Sequence, residues 1–130
     1  MKIGAVAERS GVSSKTIRFW ESVGLLPVPR RTAAGYRDYE QAILARLAFI
    51  RQAQGAGFSL SRIQRVLDIG DGGEPACEHV GQLIEARLRD VEARIVELRA
   101  TRRHLQTLAK RSAAQDPAEC SGYCSILASS

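Results

Sequence analysis

Apolar positions recur at two helical spacings along this chain, and the change from one to the other divides it. In the first part they come in short clusters. Ile3, Val6 and Ala7 mark a brief helix that Gly11 can end, and Ser13 or Ser14 can cap a second one through Lys15–Glu21. The tight Ser10-Gly11-Val12 joint makes the pair a helix-turn-helix, with Phe19 and Trp20 expected in its small core. Leu25–Arg31 is held extended by Pro27 and Pro29, Thr32–Gly35 reads as a turn, and Tyr36–Tyr39 returns as a short strand. A basic hairpin directly behind a helix-turn-helix is a wing. Two helices follow. Glu40 to about Gln54 buries Ile43, Leu44, Leu47 and Ile50; the next, capped by Ser59, buries Ile63, Val66 and Leu67. Asp68–Pro75, with Gly70, Gly72 and Gly73, is expected to be a loop or hinge.

The second part follows a different rule. From about residue 76 to 111 there is no proline and Gly81 is the only glycine. Ile84, Leu88, Val91, Ile95, Leu98, Arg102 and Leu105 step alternately by four and three, a heptad seam with one polar interruption. Such a helix spans roughly 50 Å at a rise of 1.5 Å per residue. One narrow apolar stripe on so long a helix needs a partner, and the chain offers no second long helix. A second copy is the expected partner, which makes the protein a homodimer. Arg102 biases the register of that pairing or only snorkels at its edge.

Charge sharpens the division. Residues 1–68 hold 11 Lys and Arg against 5 Asp and Glu, while residues 69–130 hold 8 against 9, for a chain total of +5. A basic first half joined to a near-neutral second half points to a front end that meets a polyanion, nucleic acid being the usual one. The donors that would reach it are Ser14, Lys15, Thr16 and Arg18 on the second helix and Arg30, Arg31, Tyr36 and Arg37 on the wing. No apolar run approaches the roughly 18 residues of a membrane span. The opening residues turn polar at Glu8-Arg9, too soon for a signal peptide, so a cytoplasmic location is expected. Gly-rich phosphate loops, paired-His motifs and Ser/His/Asp patterns are missing from the sequence, and an enzyme is not expected.

Three cysteines remain: Cys77, Cys120 and Cys124. An odd number argues against a disulfide framework and leaves structural thiols, metal ligands or redox-active thiols. Cys77 opens the long helix and the other two lie beyond its end, so one chain holds them far apart. In an antiparallel dimer the start of one helix lies beside the end of the other. Cys77 of one copy would then meet Cys120 and Cys124 of its partner. Such a site would favour Zn²⁺, Cd²⁺, Hg²⁺, Pb²⁺ or Cu⁺ over hard cations. His79 and Glu78 are further donors at the same helix start, whereas His104 reads as a surface residue.

Thr16-Ile17-Arg18-Phe19-Trp20-Glu21, Gly24-Leu25-Leu26-Pro27, Arg30-Arg31 and Gly35-Tyr36-Arg37-Asp38-Tyr39 together closely resemble the DNA-binding signature of the MerR family. The resemblance extends over essentially the whole chain. Its second half is most similar to the branch that senses zinc, cadmium, lead or mercury. Cys77 stands where those sensors carry a Cys and the copper(I) and gold sensors a Ser, and Tyr123-Cys124-Ser125-Ile126-Leu127 resembles the end of their metal-binding loop. One position departs: those sensors usually place a Cys where Ser112 and Ala113 stand, and this chain carries Cys120 instead.

The resemblance implies a mainly α fold: a winged helix-turn-helix head (1–38), a two-helix connector and hinge (39–75), a long antiparallel coiled-coil dimerisation helix (76–111) and a C-terminal metal-binding loop and tail (112–130). It implies double-stranded promoter DNA and RNA polymerase as partners, contacted through Thr16, Arg18, Arg31, Tyr36 and Arg37. It also implies a divalent thiophilic metal held by Cys77, Cys120 and Cys124. A metal-bound dimer would distort a palindromic operator and so activate transcription. The alternative in the same fold is a thiol-based redox or electrophile sensor.

Overall fold

The computed structural model describes residues 1–128; Ser129 and Ser130, the end of the expected tail, lie outside the described residues. It is mainly helical, with α1 (Ile3–Ser10), α2 (Ser14–Ser22), β1 (Arg30–Arg31), β2 (Arg37–Asp38), α3 (Ile43–Gly55), α4 (Leu60–Asp71), α5 (Cys77–Ala114) and α6 (Ser125–Ala128). The chain forms two compact units, Met1–Ile84 and Glu85–Ser130.

Local chemistry sets the boundaries in the first unit. Gly11 adopts φ +73°, and its N–H closes α1 on Ala7 O at 3.0 Å. Ser13 then caps α2, its hydroxyl oxygen accepting from Thr16 N at 3.2 Å. β1 and β2 pair antiparallel, Arg31 opposite Arg37, around a turn in which Gly35 has φ +86°. Thr32 N–H donates to Tyr36 O at 2.7 Å inside that turn. Ser59 caps α4 by accepting from Arg62 N.

Besides α5, which runs to Ala114 where an end at about Arg111 was expected, two helix limits differ from the sequence pattern. α3 begins at Ile43 rather than Glu40, because Ile43 and Leu44 N–H groups first close a turn onto Glu40 O and Gln41 O. α4 continues through Asp71, where a loop was expected from Asp68. Arg46 accounts for the extra turn: its guanidinium holds Asp71 with two bonds of 2.8 and 3.1 Å and also donates to Leu25 O at 2.7 Å. The connection to α5 shrinks accordingly to residues 72–76.

The core gathers Val6, Ile17, Leu25, Leu47, Ile50 and Ile63, all essentially inaccessible, with Trp20, Leu26 and Tyr39 at its margin. Burying such side chains contributes about 1.5–3 kcal/mol each. Phe19 does not join them, contrary to the sequence expectation: it is 51% exposed. At 3.6 residues per turn, Ile17 and Trp20 share the inward face and Phe19 falls on the other. On α3, α4 and the start of α5, Phe49, Phe58, Ile63, Val66 and Leu83 line an apolar hollow of about 210 Å³. α5 contributes no buried residue at all. Its seam residues Ile84, Leu88, Val91, Ile95, Leu98 and Leu105 are all exposed.

Candidate nucleic-acid interface and thiol cluster

The basic residues of the head do not spread evenly over its surface. Lys2, Arg18, Arg31, Tyr36 and Arg37 line one open concavity of about 550 Å³, together with the first turn of α1. α1 starts without a side-chain cap, and its first intrahelical bond runs from Val6 N to Lys2 O. The amides of Ile3, Gly4 and Ala5 therefore add unpaired donors and the positive end of a helix dipole to four cationic side chains. That combination is a site for an anion with several oxygens, as in a phosphate backbone.

Each wing residue is held for this task. Arg31 Nη1 donates to Gly35 O at 2.9 Å, which keeps the guanidinium against the turn. Lys2 Nζ lies 5.2 Å from the centroid of the Tyr36 ring, a cation–π contact that positions both. Arg37 Nε pairs with Glu21 Oε1 at 3.5 Å, so strand β2 is coupled to α2. Glu21 Oε2 accepts from Tyr39 Oη at 2.7 Å. Burial, then the Glu21 hydrogen bond and charge, push the Tyr39 phenol well above its ordinary pKa, so it stays a donor.

The expected residues divide. Arg18, Arg31, Tyr36 and Arg37 converge, whereas Arg30 lines a separate hollow of about 340 Å³ with Pro27, Val28 and Arg46. Lys15 is exposed, and Thr16 Oγ1 accepts from the Ser13 hydroxyl at 2.9 Å. Ser14, on the first turn of α2, is half-buried. Lys2, Gly4 and Ala5 were missed by the sequence reading. The signal was there: a lysine stands directly before the first apolar helix position, with no capping side chain in the way.

In the second unit a short 3₁₀ turn, Pro117–Glu119, precedes the thiols, capped by Asp116 Oδ1, which accepts from Ala118 N at 2.9 Å. Gly122, at φ +66°, turns the chain back. Cys120 and Cys124 thereby lie near enough for the Cys124 thiol to influence ionisation of Cys120. Cys120 Sγ also accepts from Ser125 Oγ at 3.3 Å and from Ser125 N at 3.4 Å. The Ser125 hydroxyl first, then its amide and the Cys124 thiol, lower the Cys120 pKa against a smaller opposing effect of burial. Arg111 Nη1 donates to Ile126 O at 3.4 Å and ties α6 back to the end of α5.

Cys77 is exposed at the first position of α5, in the other unit. Two residues on, His79 Nε2 is buried without a hydrogen-bond partner. Among the described residues of one chain, no three His, Cys, Asp or Glu side chains form a metal-binding group. No helix among them is long and apolar enough to cross a membrane.

A basic concavity built from a wing, a helix start and the second helix of a helix-turn-helix defines a winged DNA-binding regulator. The chain belongs to the MerR family: the model of the MerR HTH family regulatory protein matches residues 1–69, and that of the MerR DNA-binding region matches 44–108. The HTH-type transcriptional regulator ZntR of Escherichia coli K12 is 39% identical over 127 residues, 97% of this chain and 89% of its own. Among solved structures, the transcription regulator PbrR691 of Ralstonia metallidurans CH34 in complex with lead(II) matches with a TM-score of 0.83 at 34% identity. That match covers 98% of this chain and 97% of that one. HiNmlR, a MerR family regulator lacking the sensor domain and bound to promoter DNA, matches with a TM-score of 0.59 at 29% identity, over 87% and 83% of the two chains. These relatives are transcription regulators, not enzymes.

Proposed function

We propose that this protein is a homodimeric, metal-responsive regulator that binds a palindromic promoter operator and activates transcription by distorting it. The observation that carries the reading is the convergence of Lys2, Arg18, Arg31 and Arg37 with the uncapped start of α1. Two such heads on a coiled coil would match the two half-sites of a palindrome. Arg18, Lys15, Ser14 and Thr16 would serve the major groove, and Arg30, Arg31, Tyr36 and Arg37 the flanking backbone. The division into head 1–38, connector 39–75, dimerisation helix 76–111 and metal-binding loop 112–130 is part of the same reading.

The effector would be a thiophilic divalent ion: Zn²⁺, Cd²⁺, Hg²⁺ or Pb²⁺. The donors fit it. Cys120 and Cys124 are soft ligands on one loop, Cys120 Sγ accepts from Ser125 N and Oγ, and His79 Nε2 lacks a partner. Cys77 would come from the other copy in an antiparallel pairing along the exposed seam, with His79 as an added donor. Cys77, Cys120 and Cys124 would hold the ion, which would supply soft-ligand coordination. Gly122 and Ser125 hold the loop thiols together, and the α4–α5 connection would relay the change to the heads. Bending and untwisting the spacer would then let RNA polymerase engage both promoter elements. Lead(II) bound to PbrR691 supports the class of effector without selecting one ion.

A thiol-based redox or electrophile sensor is the second reading, favoured by the free, exposed thiols of Cys77 and Cys120. One experiment separates the two. Reduced, metal-free protein is titrated with each ion against a competing chelator, in wild type and in Cys77→Ser, Cys120→Ser and Cys124→Ser. Thiolate-to-metal bands weakened by every substitution support the sensor. No binding of any ion by intact, reduced dimer overturns it and leaves the redox reading.

A further inference from the structure

Phe19 is the one large aromatic of α2 that the core does not use. It is 51% exposed, and Val23, one turn further on, is 48% exposed. Lys15, Arg18 and Ser22 share the exposed side of the same helix. At about 100° per residue, Lys15 and Ser22 fall at the middle of that face, with Arg18 at one edge and Phe19 at the other. Arg18 lies on the edge that lines the basic concavity. Phe19 and Val23 therefore form an apolar strip along the opposite edge of a cationic helix face.

This placement is not accidental slack in the fold. The end of α2 is fixed there: Ser22 Oγ donates to Phe19 O at 2.6 Å, and Val23 N donates to the same carbonyl at 3.1 Å. An exposed aromatic on this fixed stretch of backbone, beside Lys15 and Arg18, is placed to meet what those charges attract. A phenyl ring has no donor or acceptor, so it cannot read a phosphate or a hydrogen-bonding base edge. On the floor of a major groove the apolar group presented by a standard base is the C5-methyl of thymine.

We infer that Phe19, backed by Val23, is a specificity-determining contact to a thymine methyl group in each half-site. The inference rests on the proposed DNA-binding role of α2. It divides recognition within one helix: Lys15 and Arg18 supply hydrogen bonds and charge, and Phe19 supplies a preference that charge cannot give. Losing a buried methyl corresponds to roughly a fourfold loss of affinity.

The test starts with duplexes enriched from a random library by the full-length protein. Each thymine of an enriched duplex is then replaced by deoxyuridine, which deletes only the methyl. Wild type should lose roughly fourfold in affinity for each methyl deleted at one thymine or more of each half-site. Phe19→Ala should bind the thymine duplex more weakly and show no further loss on deoxyuridine, while Phe19→Leu keeps part of the discrimination. Since Phe19 lies outside the core, circular dichroism should show all variants folded. Equal binding of thymine and deoxyuridine duplexes by wild type overturns the Phe19 assignment while leaving DNA binding intact. Failure to enrich any duplex, with folded protein, overturns the DNA-binding reading itself and the assignment with it.

Discussion

Tyr39 reaches from the end of the wing to α2 and donates a 2.7 Å hydrogen bond to Glu21, whose other carboxylate oxygen faces Arg37 at 3.5 Å. The two residues are 18 positions apart, and their contact couples the orientation of the second helix to that of the hairpin. Tyr39 is buried, and the Glu21 side chain is only 10% exposed. Deleting the phenol oxygen leaves a shielded carboxylate short of a donor. Tyr39→Phe should therefore lower stability by about 1–3 kcal/mol in urea denaturation. Glu21→Gln, which keeps an acceptor for Tyr39 but loses the pairing with Arg37, should cost less.

The Arg46–Asp71 pair makes stability depend on acid. Its hydrogen bonds, first, and the guanidinium charge hold the Asp71 pKa below its ordinary value, against a smaller effect of burial. A depressed folded pKa means the contribution is whole above the ordinary carboxylate pKa of about 4 and is lost as pH falls through the lower folded value. Asp71 is 57% exposed, so solvent screening holds the effect to a few tenths of a kcal/mol. Asp71→Asn should remove that part of the pH slope, measured as melting temperature between pH 5 and pH 2. Fraying of the last turn of α4, read by amide exchange, should accompany it.

Gly11→Ala should destabilise the head by about 1–2 kcal/mol, the cost of a left-handed conformation with a Cβ. The new Cβ would also stand 2.9 Å from Arg51 Nη1, which donates to Ser10 O. The guanidinium can swing away, so the loss of that bond, rather than a clash, adds to the strain. Thermal denaturation of the variant checks the sum.

Ile95→Glu places a carboxylate in the middle of the exposed α5 seam. Sedimentation should give a dimer for wild type and a monomer for the variant. Circular dichroism should keep the signature of the folded head, because the buried residues lie elsewhere. A variant that remains dimeric would remove the seam from the interface.

Lys2→Ala and Arg31→Ala should weaken DNA binding across sequences. Each should also reduce the slope of log affinity against log salt by about one. A change in affinity with no change in slope would mean that neither side chain neutralises a phosphate.

Much of the architecture was legible because it is written in local chemistry. Gly11, Ser13 and Ser59 punctuate helices wherever they occur, and the four-three stepping from Ile84 to Leu105 needs no knowledge of the rest of the chain. What escaped depended on contacts between distant residues. The length of α4 hangs on Arg46, 25 positions from Asp71. Lys2 meets the wing at the ring of Tyr36. Phe19 looked like core from its neighbours, and only the phase of α2 against Ile17 and Trp20 turns it outward. Cys120 and Cys124 were legible as a pair, but the part played by Ser125 in holding them was not.

Among the described residues, every buried side chain lies at or before Leu67. Head and connector together thus hold every buried side chain, and that core can form while the remainder of the polypeptide is still being synthesised. The 38-residue helix that follows contains no buried residue, and in the proposed dimer its pairing would depend on mass action. The abundance of the protein, and not its sequence alone, would then decide what fraction of chains possesses a complete sensory end.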